Sequence, residues 1–380
     1  MTREEPRSAP ISSEGRNTTL DAVRGVAVLG ILTMNAVSFG LVDMPAYFNL
    51  DAGGSRTWLD WAIGGMGEVL FDQKFMGLFS LLFGAGIAMF ADRAAARQRR
   101  PVWFSLWRNA LLLGIGIAHM ALWEGDVLVL YAICSPLIIA ARRLRPSVLV
   151  TIGTALVLAV AVVAVAVQAA IDDPASQLSG YWLEGEKSAG IELWFVGDFG
   201  TRALGMMLIG VALYRTGVVT GERPRGFYVR TARWGLGVGL PLSAAGLAIV
   251  AASGFSPDWA LAGAAPNTLA TIPLSLAYLS LIALWDRRAE SGLRIRMRAA
   301  GRMALTNYLA QSVLGVIVLR ELLDNVDLSR SQIALFILGV WAIQLWWSQA
   351  WFSRFRFGPA EWLWRCATYR RWQPLRASPS

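Results

Sequence analysis

The sequence predicts an all-α integral membrane protein of about ten transmembrane helices, with both termini in the cytoplasm. Three observations predict it. Of 380 residues, 55% are hydrophobic and only 16% charged, and the mean hydropathy is +0.47, outside the range of soluble globular chains. The apolar residues gather in runs of about 20, the length an α-helix needs to cross the hydrocarbon layer. The Lys and Arg residues concentrate in alternate connections between these runs, as the positive-inside rule requires.

In chain order, residues 1–18 form a short cytoplasmic tail in which Arg3, Arg7 and Arg16 alternate with Glu4, Glu5 and Glu14. The apolar run that follows is too long for a signal-peptide core and lacks a small-residue cleavage site, so it stays as the first span. Runs at 19–42, 68–92, 107–123, 126–142, 147–171, 193–215, 229–253, 260–285, 302–321 and 331–353 make up a bundle over 19–353. Trp123-Glu124-Gly125-Asp126 turns the third span directly into the fourth, while 43–67 and 172–192 are the longest connections on that same, outer side. Residues 354–380 form a tail whose basic, aromatic stretch FRFGPAEWLWRCATYRRWQPLR is too polar to cross and is expected to lie along the inner surface. The inner segments hold 28 of the 35 Lys and Arg residues, against Arg56, Lys187, Arg320 and Arg330 outside. Tryptophans flank both ends of the spans, where interfacial anchors belong.

The net charge of +9 would point to nucleic acid in a soluble chain, but loops between apolar runs supply it, so no nucleic-acid partner is expected and the lipid bilayer is. Cys134 and Cys366 show neither metal-ligand nor disulfide spacing. With one histidine in the chain, no metal site is expected.

Ionisable and amide groups inside spans are the candidate functional residues, because the bilayer otherwise excludes them. Asp21 and Arg24 stand three apart on the first turn of span one, either as a local ion pair or as ligand contacts. Asn35, about four turns deeper, can hold a substrate carbonyl or bond a neighbouring helix. Glu68 and Asp72, four apart at the start of span two, can share one helix face, with Lys74 able to neutralise one of them. Gly77, Gly84 and Gly86 downstream allow close helix approach. His119, near the outer end of span three, lies one tight turn from Glu124 and Asp126. It is either a packing residue or a general base, and an imidazole held by a carboxylate at a membrane boundary suits proton removal near neutral pH. In GRMALTNYLAQS, Asn307 and Gln311 share a face and Arg302 marks the cytoplasmic mouth, either to meet an anionic ligand or to stitch helices.

The segments RNTTLDAVRGVAVLGILTMN, FDQKFMGLFSLLFGAG, HMALWEGDVLVLYA, GMMLIGVALYRTG, GRMALTNYLAQS and FRFGPAEWLWR together resemble the YeiB family of bacterial membrane proteins over nearly the whole chain. Its N-terminal half is similar to the transmembrane acyltransferase superfamily that includes heparan-α-glucosaminide N-acetyltransferase and bacterial polysaccharide acyltransferases. The resemblance implies a multi-pass protein of the bacterial plasma membrane that takes an acyl group from cytoplasmic acyl-CoA or acetyl-CoA and delivers it to a small-molecule, glycan or lipid acceptor outside. The element LDAVRG and Asn35 resemble that superfamily's first-helix motif, with Asn35 at an active-site position. Leu41 to Trp58 contains no histidine, although the superfamily carries its catalytic one around there; His119, with Asp126, would have to substitute from span three. Two other readings stand beside acyl transfer. One is a small-molecule transporter or exporter with a proton-coupled site at His119, Asp126, Glu68 and Asp72; the other is a non-catalytic membrane component. Assembly into a homo-oligomer is left open. A narrow path from a basic inner vestibule towards His119 is expected of the first, and a midplane cavity between similar halves of the second.

Overall fold

The computed structural model describes residues 17–41, 44–97 and 100–376, so Arg3, Arg7, Arg16, Arg99 and the rest of both extreme tails lie outside the described residues. Among those described, eight helices are long and apolar enough to cross a membrane: α1 (Thr18–Gly40), α2 (Trp58–Ala96), α3 (Pro101–Met120), α5 (Pro146–Ala170), α6 (Ala189–Arg215), α7 (Arg225–Ala252), α8 (Pro257–Asp286) and α10 (Arg330–Phe352). A ninth, α9, is bent by 85° between the arms Gly292–Arg302 and Ala304–Leu322. Between α3 and α5 runs α4, Leu128–Ala141, and the tail forms α11, Pro359–Tyr369. The protein is an all-α membrane protein. Its outward apolar side chains, such as Val162 on α5 and Leu335 on α10, face what lipid would cover.

Hydrogen bonds tie each end of the bundle together. At the basic end, Thr18 and Thr19 donate to Asp286, Asn17 donates to Thr220 O, and Arg215 donates to the Arg142 and Leu144 carbonyls. At the opposite end, Asn49 donates to Trp182 O, Trp182 Nε1 to Phe255 O, and the Arg330 side chain to Ala46 O. Helix α1 is the most enclosed: 72% of its most apolar stretch is buried, against 22% for α3. Helix α1 therefore runs through the centre, not along the lipid.

Besides the fourth expected span, 126–142, of which only the 14-residue α4 forms, so that the described residues hold eight helices long enough to cross, or nine with the bent α9, in place of ten, two elements differ from the sequence expectation. The second span begins ten residues earlier than expected, at Trp58, because Thr57 and Asp60 form a reciprocal capping box that starts a helix inside what reads as a loop. That helix passes through a π-helical turn, Gly67–Phe71, and breaks at Asp72–Gln73, where Gln73 takes φ +61°. Glu68 and Asp72 are thus not on one regular α-helical face. A broken helix survives at membrane depth only when neighbours satisfy its backbone, and here they do. Lys74 Nζ donates to Glu68 O at 2.6 Å, Ser243 Oγ to Val69 O at 3.1 Å and Tyr278 OH to Leu70 O at 2.7 Å. Thr268 Oγ1 holds the Gln73 side chain at 3.1 Å.

The second difference is in α9, where the Arg-rich segment before Arg302 is not a loop but a helical arm of its own. The chain turns at Met303, and the tail caps the second arm: Glu361 accepts from Leu305 N at 2.7 Å and Thr306 N at 3.2 Å, and from Thr306 Oγ1 at 2.6 Å. Thr306 Oγ1 accepts in return from Ala360 N at 3.0 Å. The tail is therefore latched into the bundle. Burial pushes the Glu361 carboxyl above its usual range, although Thr306 and Leu305 donate to its charged form. A carboxyl raised by folding favours the folded state most at low pH and loses that contribution as pH climbs from the ordinary carboxylate range through its raised value. The latch should tighten on mild acidification and be flat with pH in Glu361→Gln, while Glu361→Ala should weaken it by about 1–3 kcal/mol. Hydrogen exchange over residues 304–308 and 359–369, followed against pH, measures both effects.

Candidate functional site: a basic basin beneath a buried imidazole

A cavity of about 680 Å³ opens at the basic end between α1, α2, α3, the bend of α9 and α11. Among the described residues, its charged wall comprises Arg24, Arg93, Arg97, Arg108, Arg302, Arg356 and Arg365 against Asp21 and Glu361, seven cations to two acids. A site with that surplus suits a polyanion, and guanidinium forks match phosphate oxygens. Aromatic faces hold the arginines in place: Arg108 lies 4.7 Å over the Phe90 ring and 3.8 Å over Trp364, and Arg302 lies 3.6 Å over Phe352.

Deeper in, the walls become apolar, through Leu82, Phe83, Leu112, Leu128 and Phe79, and reach Tyr308. From Arg97 to Phe79 along α2 is about 27 Å at 1.5 Å per residue. The cavity is therefore a shaft with a cationic rim and an apolar depth.

His119 packs directly behind Tyr308, with ring centroids 5.2 Å apart. Its Nδ1 and Asp126 Oδ1 are 2.7 Å apart, and the other Asp126 oxygen accepts from Val129 N at 2.7 Å. A carboxylate acceptor fixes the imidazole proton on Nδ1 and leaves Nε2 as the acceptor. That Nε2 is buried and has no hydrogen-bond partner, a rare condition for a polar atom in a packed interior. Helix α4 has 14 residues, about 21 Å, short of a full crossing.

Asn35 is half-buried on α1, one turn from Ser38 and Phe39. The Phe39 ring lies tilted at 55°, 4.7 Å from that of Trp123, Trp123 Nε1 donates to Ser38 Oγ at 3.3 Å, and the Trp123 ring lies 6.1 Å from His119. Asn35 thus occupies the helix against which the His119 turn packs, but it is not part of the basin wall. Asp21 and Arg24 are 4.0 Å apart, and both line the basin.

Of the predicted binding residues, Arg302, Asp21 and Arg24 meet in the basin, and Asn307 and Gln311 do not. Asn307 donates to Ala300 O and Ser348 Oγ, both at 3.1 Å, and accepts from Trp347 Nε1 at 2.7 Å. Gln311 donates to Val28 O and Gln344 Oε1, both at 2.9 Å. Their shared face is turned to α1 and α10, so helix stitching takes up the donors of both amides, while the buried Gln311 Oε1 has no partner.

Glu68, Asp72 and Lys74 are grouped at the opposite end. Lys74 is fully buried and donates not to a carboxylate but to Glu68 O and Asn267 Oδ1, while Asn267 Nδ2 donates to Asp72 Oδ2 at 2.9 Å. The Asp198–Arg202 pair on α6 completes the wall of a smaller pocket there. Sequence reasoning passed over Asp198 and Asn267 and did not place Tyr308 or Arg108 in a site. The four-residue spacing of Asp198 and Arg202 inside an apolar run was the available signal, whereas the basin contact of Arg108 depends on the tail folding back onto it.

Fold and site together define a polytopic helical membrane protein with a cationic shaft at one end and an ion-lined pocket at the other. The chain belongs to the YeiB family. It is 32% identical over 394 aligned positions to the uncharacterized protein YeiB of Escherichia coli (strain K12), covering 96% of this chain and 99% of that one. It is 28% identical to the uncharacterized protein YxaH of Bacillus subtilis (strain 168) and 26% identical to an uncharacterized 39.9 kDa protein in the amylase 3′ region of Bacillus acidopullulyticus, over 96% of this chain and 97% of each relative. Residues 213–371 match a family described as protein of unknown function (DUF418). No solved structure matches the chain.

Proposed function

We propose that this protein is a bacterial membrane acyltransferase, moving an acyl group from acyl-CoA at the cytoplasmic face to an acceptor hydroxyl or amine from the outer side. The observation that carries the reading is the shaft itself, arginine-rimmed, apolar within, and ending on the ring that covers a buried imidazole with a free acceptor nitrogen. The residues fit the donor: the rim can hold its phosphates, and the apolar depth can sheathe its pantetheine arm. Acyl-CoA supplies an activated thioester carbonyl, so that the acceptor oxygen or nitrogen forms the new acyl bond and the carbon–sulfur bond breaks, releasing CoA thiol.

In this reading His119 Nε2 takes the acceptor's proton as attack proceeds, and Asp126 stabilises the imidazolium that results. Asn35 donates its amide to the acyl carbonyl oxygen, where charge develops. Arg108 and Arg302, held over aromatic faces, fix the phosphates without losing much side-chain freedom on binding. Replacing Arg108 by Gln should weaken CoA binding about tenfold, the effect of one charged hydrogen bond, and should flatten its salt dependence. Titration of the purified protein with CoA at two ionic strengths measures both. Coenzyme A affinity that is unchanged in Arg108→Gln and independent of salt would remove the basin from the donor path.

The transporter reading has its own support in the interrupted α2, since discontinuous helices with buried ionisable groups also build substrate sites. Proton-coupled uptake into proteoliposomes, lost in Asp72→Asn and retained in His119→Ala, is the result that would favour it over transfer.

A further inference from the structure

The pocket at the end opposite the basin plays no part in the transfer chemistry. About 80 Å³ in volume, it lies between the break in α2, the outer halves of α6, α7 and α8, and the segment around Tyr181. We propose that this pocket binds the ammonium end of a small amino alcohol, with Glu68 as its principal counter-ion. The inference is independent of the acyltransferase reading.

Charge balance is the first support. Among the described residues, the buried or half-buried ionisable groups gathered here are Asp60, Glu68, Asp72 and Asp198 against Lys74, Arg202 and Arg330, four acids to three bases. Most already have partners. Asp60 accepts from Thr57 N and Ser331 N, both at 2.9 Å, Asp198 pairs with Arg202, and Asp72 accepts from Asn267. Arg330 donates to Ser55 Oγ at 2.9 Å and Ala46 O at 2.6 Å, and Lys74 is occupied by Glu68 O and Asn267. Among the described residues, the Glu68 carboxylate accepts no hydrogen bond. Lys74 and Arg330 act on Glu68 only through their fields, and a carboxylate at membrane depth without a direct partner is unfavourable unless a cation or a proton meets it.

The second support is a pair of unused donors. Tyr181 is 5% exposed, lines the pocket and lies within the fields of Asp198, Arg202, Asp72 and Glu68, yet its hydroxyl has no hydrogen-bond partner among the described residues. Arg202, 4% exposed, keeps a buried Nε without an acceptor. Such atoms are seldom left unmatched in native interiors. A ligand that brings both an ammonium and a neighbouring oxygen offers a partner to Glu68 and to Tyr181, which both line the pocket, and aromatic walls at Tyr47, Trp182 and Phe195 favour a cation between them. The volume holds about three waters at roughly 30 Å³ each, room for a compound the size of ethanolamine. The same group reaches a membrane protein either as a free amino alcohol or as the head group of an aminophospholipid.

Ethanolamine hydrochloride is the probe, added to the full-length protein in nanodiscs of phosphatidylglycerol alone or with phosphatidylethanolamine. In phosphatidylglycerol discs the thermal midpoint should rise with ethanolamine concentration beyond an equal sodium chloride control, as ligand linkage requires. The concentration for half-effect should increase at least tenfold in Glu68→Gln and, should that variant not fold, in Tyr181→Phe. A rise absent only in the phosphatidylethanolamine discs, with the apparent midpoint already elevated there, assigns the site to the lipid head group; an equal rise in both assigns it to the free compound. No stabilisation beyond sodium chloride in either disc, or an unchanged response in the folded variants, overturns the proposal.

Discussion

His119→Ala is expected to abolish acyl transfer while leaving CoA bound. A positioned general base accelerates proton-coupled attack by roughly 10² to 10⁴, and no other histidine exists to replace this one. The donor's phosphates, by contrast, would be held by Arg108 and Arg302, and Arg108 stands eleven residues, about 17 Å of helix rise, before His119 on α3, beyond direct contact with a side chain at position 119. The result should therefore be a fall in turnover of that order with a dissociation constant for CoA within about twofold of the parent. Asp126→Asn should lower turnover in the same direction, because an amide no longer stabilises the imidazolium. Asn35→Ala should lower it by roughly 10² to 10³ as a lost carbonyl donor. A transfer rate unchanged in His119→Ala would show the imidazole to be a packing residue.

The largest effect on stability is expected at Gly301, where α9 crosses α1. A Cβ added there would lie 1.8 Å from Asp21 O and 2.6 Å from Gly25 N. Both are backbone atoms of a helix, so no side chain can yield, and the two helices must part. Overpacking of this kind costs about 1–3 kcal/mol or more, and small residues are what lets membrane helices approach this closely. Because Asp21, Arg24, Gly301 and Arg302 all line the basin, Gly301→Ala should lower the thermal midpoint and loosen CoA binding together. Gly114→Ala, where nothing lies within 4 Å of the added carbon, should leave both unchanged. Fluorescence-detected gel filtration after heating distinguishes the two variants directly.

Much of the architecture was legible because lipid imposes length and charge on sequence. The span Thr18–Gly40 falls within a residue or two of its hydropathy run, and Cys134 and Cys366 are free and buried, as their spacing implied. The His119–Asp126 contact was legible too, since a tight turn leaves a residue seven positions on within reach. What hydropathy could not reveal was tertiary. The start of α2 is set by a capping box outside the apolar run, its break is sustained by Ser243, Thr268 and Tyr278 from other helices, and the bend of α9 is capped by Glu361 from the tail. Asn307 and Gln311 carried the right chemistry for a ligand, but α1 and α10 took up their hydrogen bonds. Helical periodicity places two residues on one face without saying what that face meets.

The central claim is tested most directly by incubating purified protein in nanodiscs with acetyl-CoA labelled in its acetyl group, in the presence of a bacterial envelope extract as acceptor source, and following the label. Acyl transfer requires loss of label from acetyl-CoA, release of an equal amount of CoA thiol and appearance of label in extract material, all reduced by His119→Ala. Full retention of label in acetyl-CoA, or a release of thiol that His119→Ala leaves untouched, would contradict it.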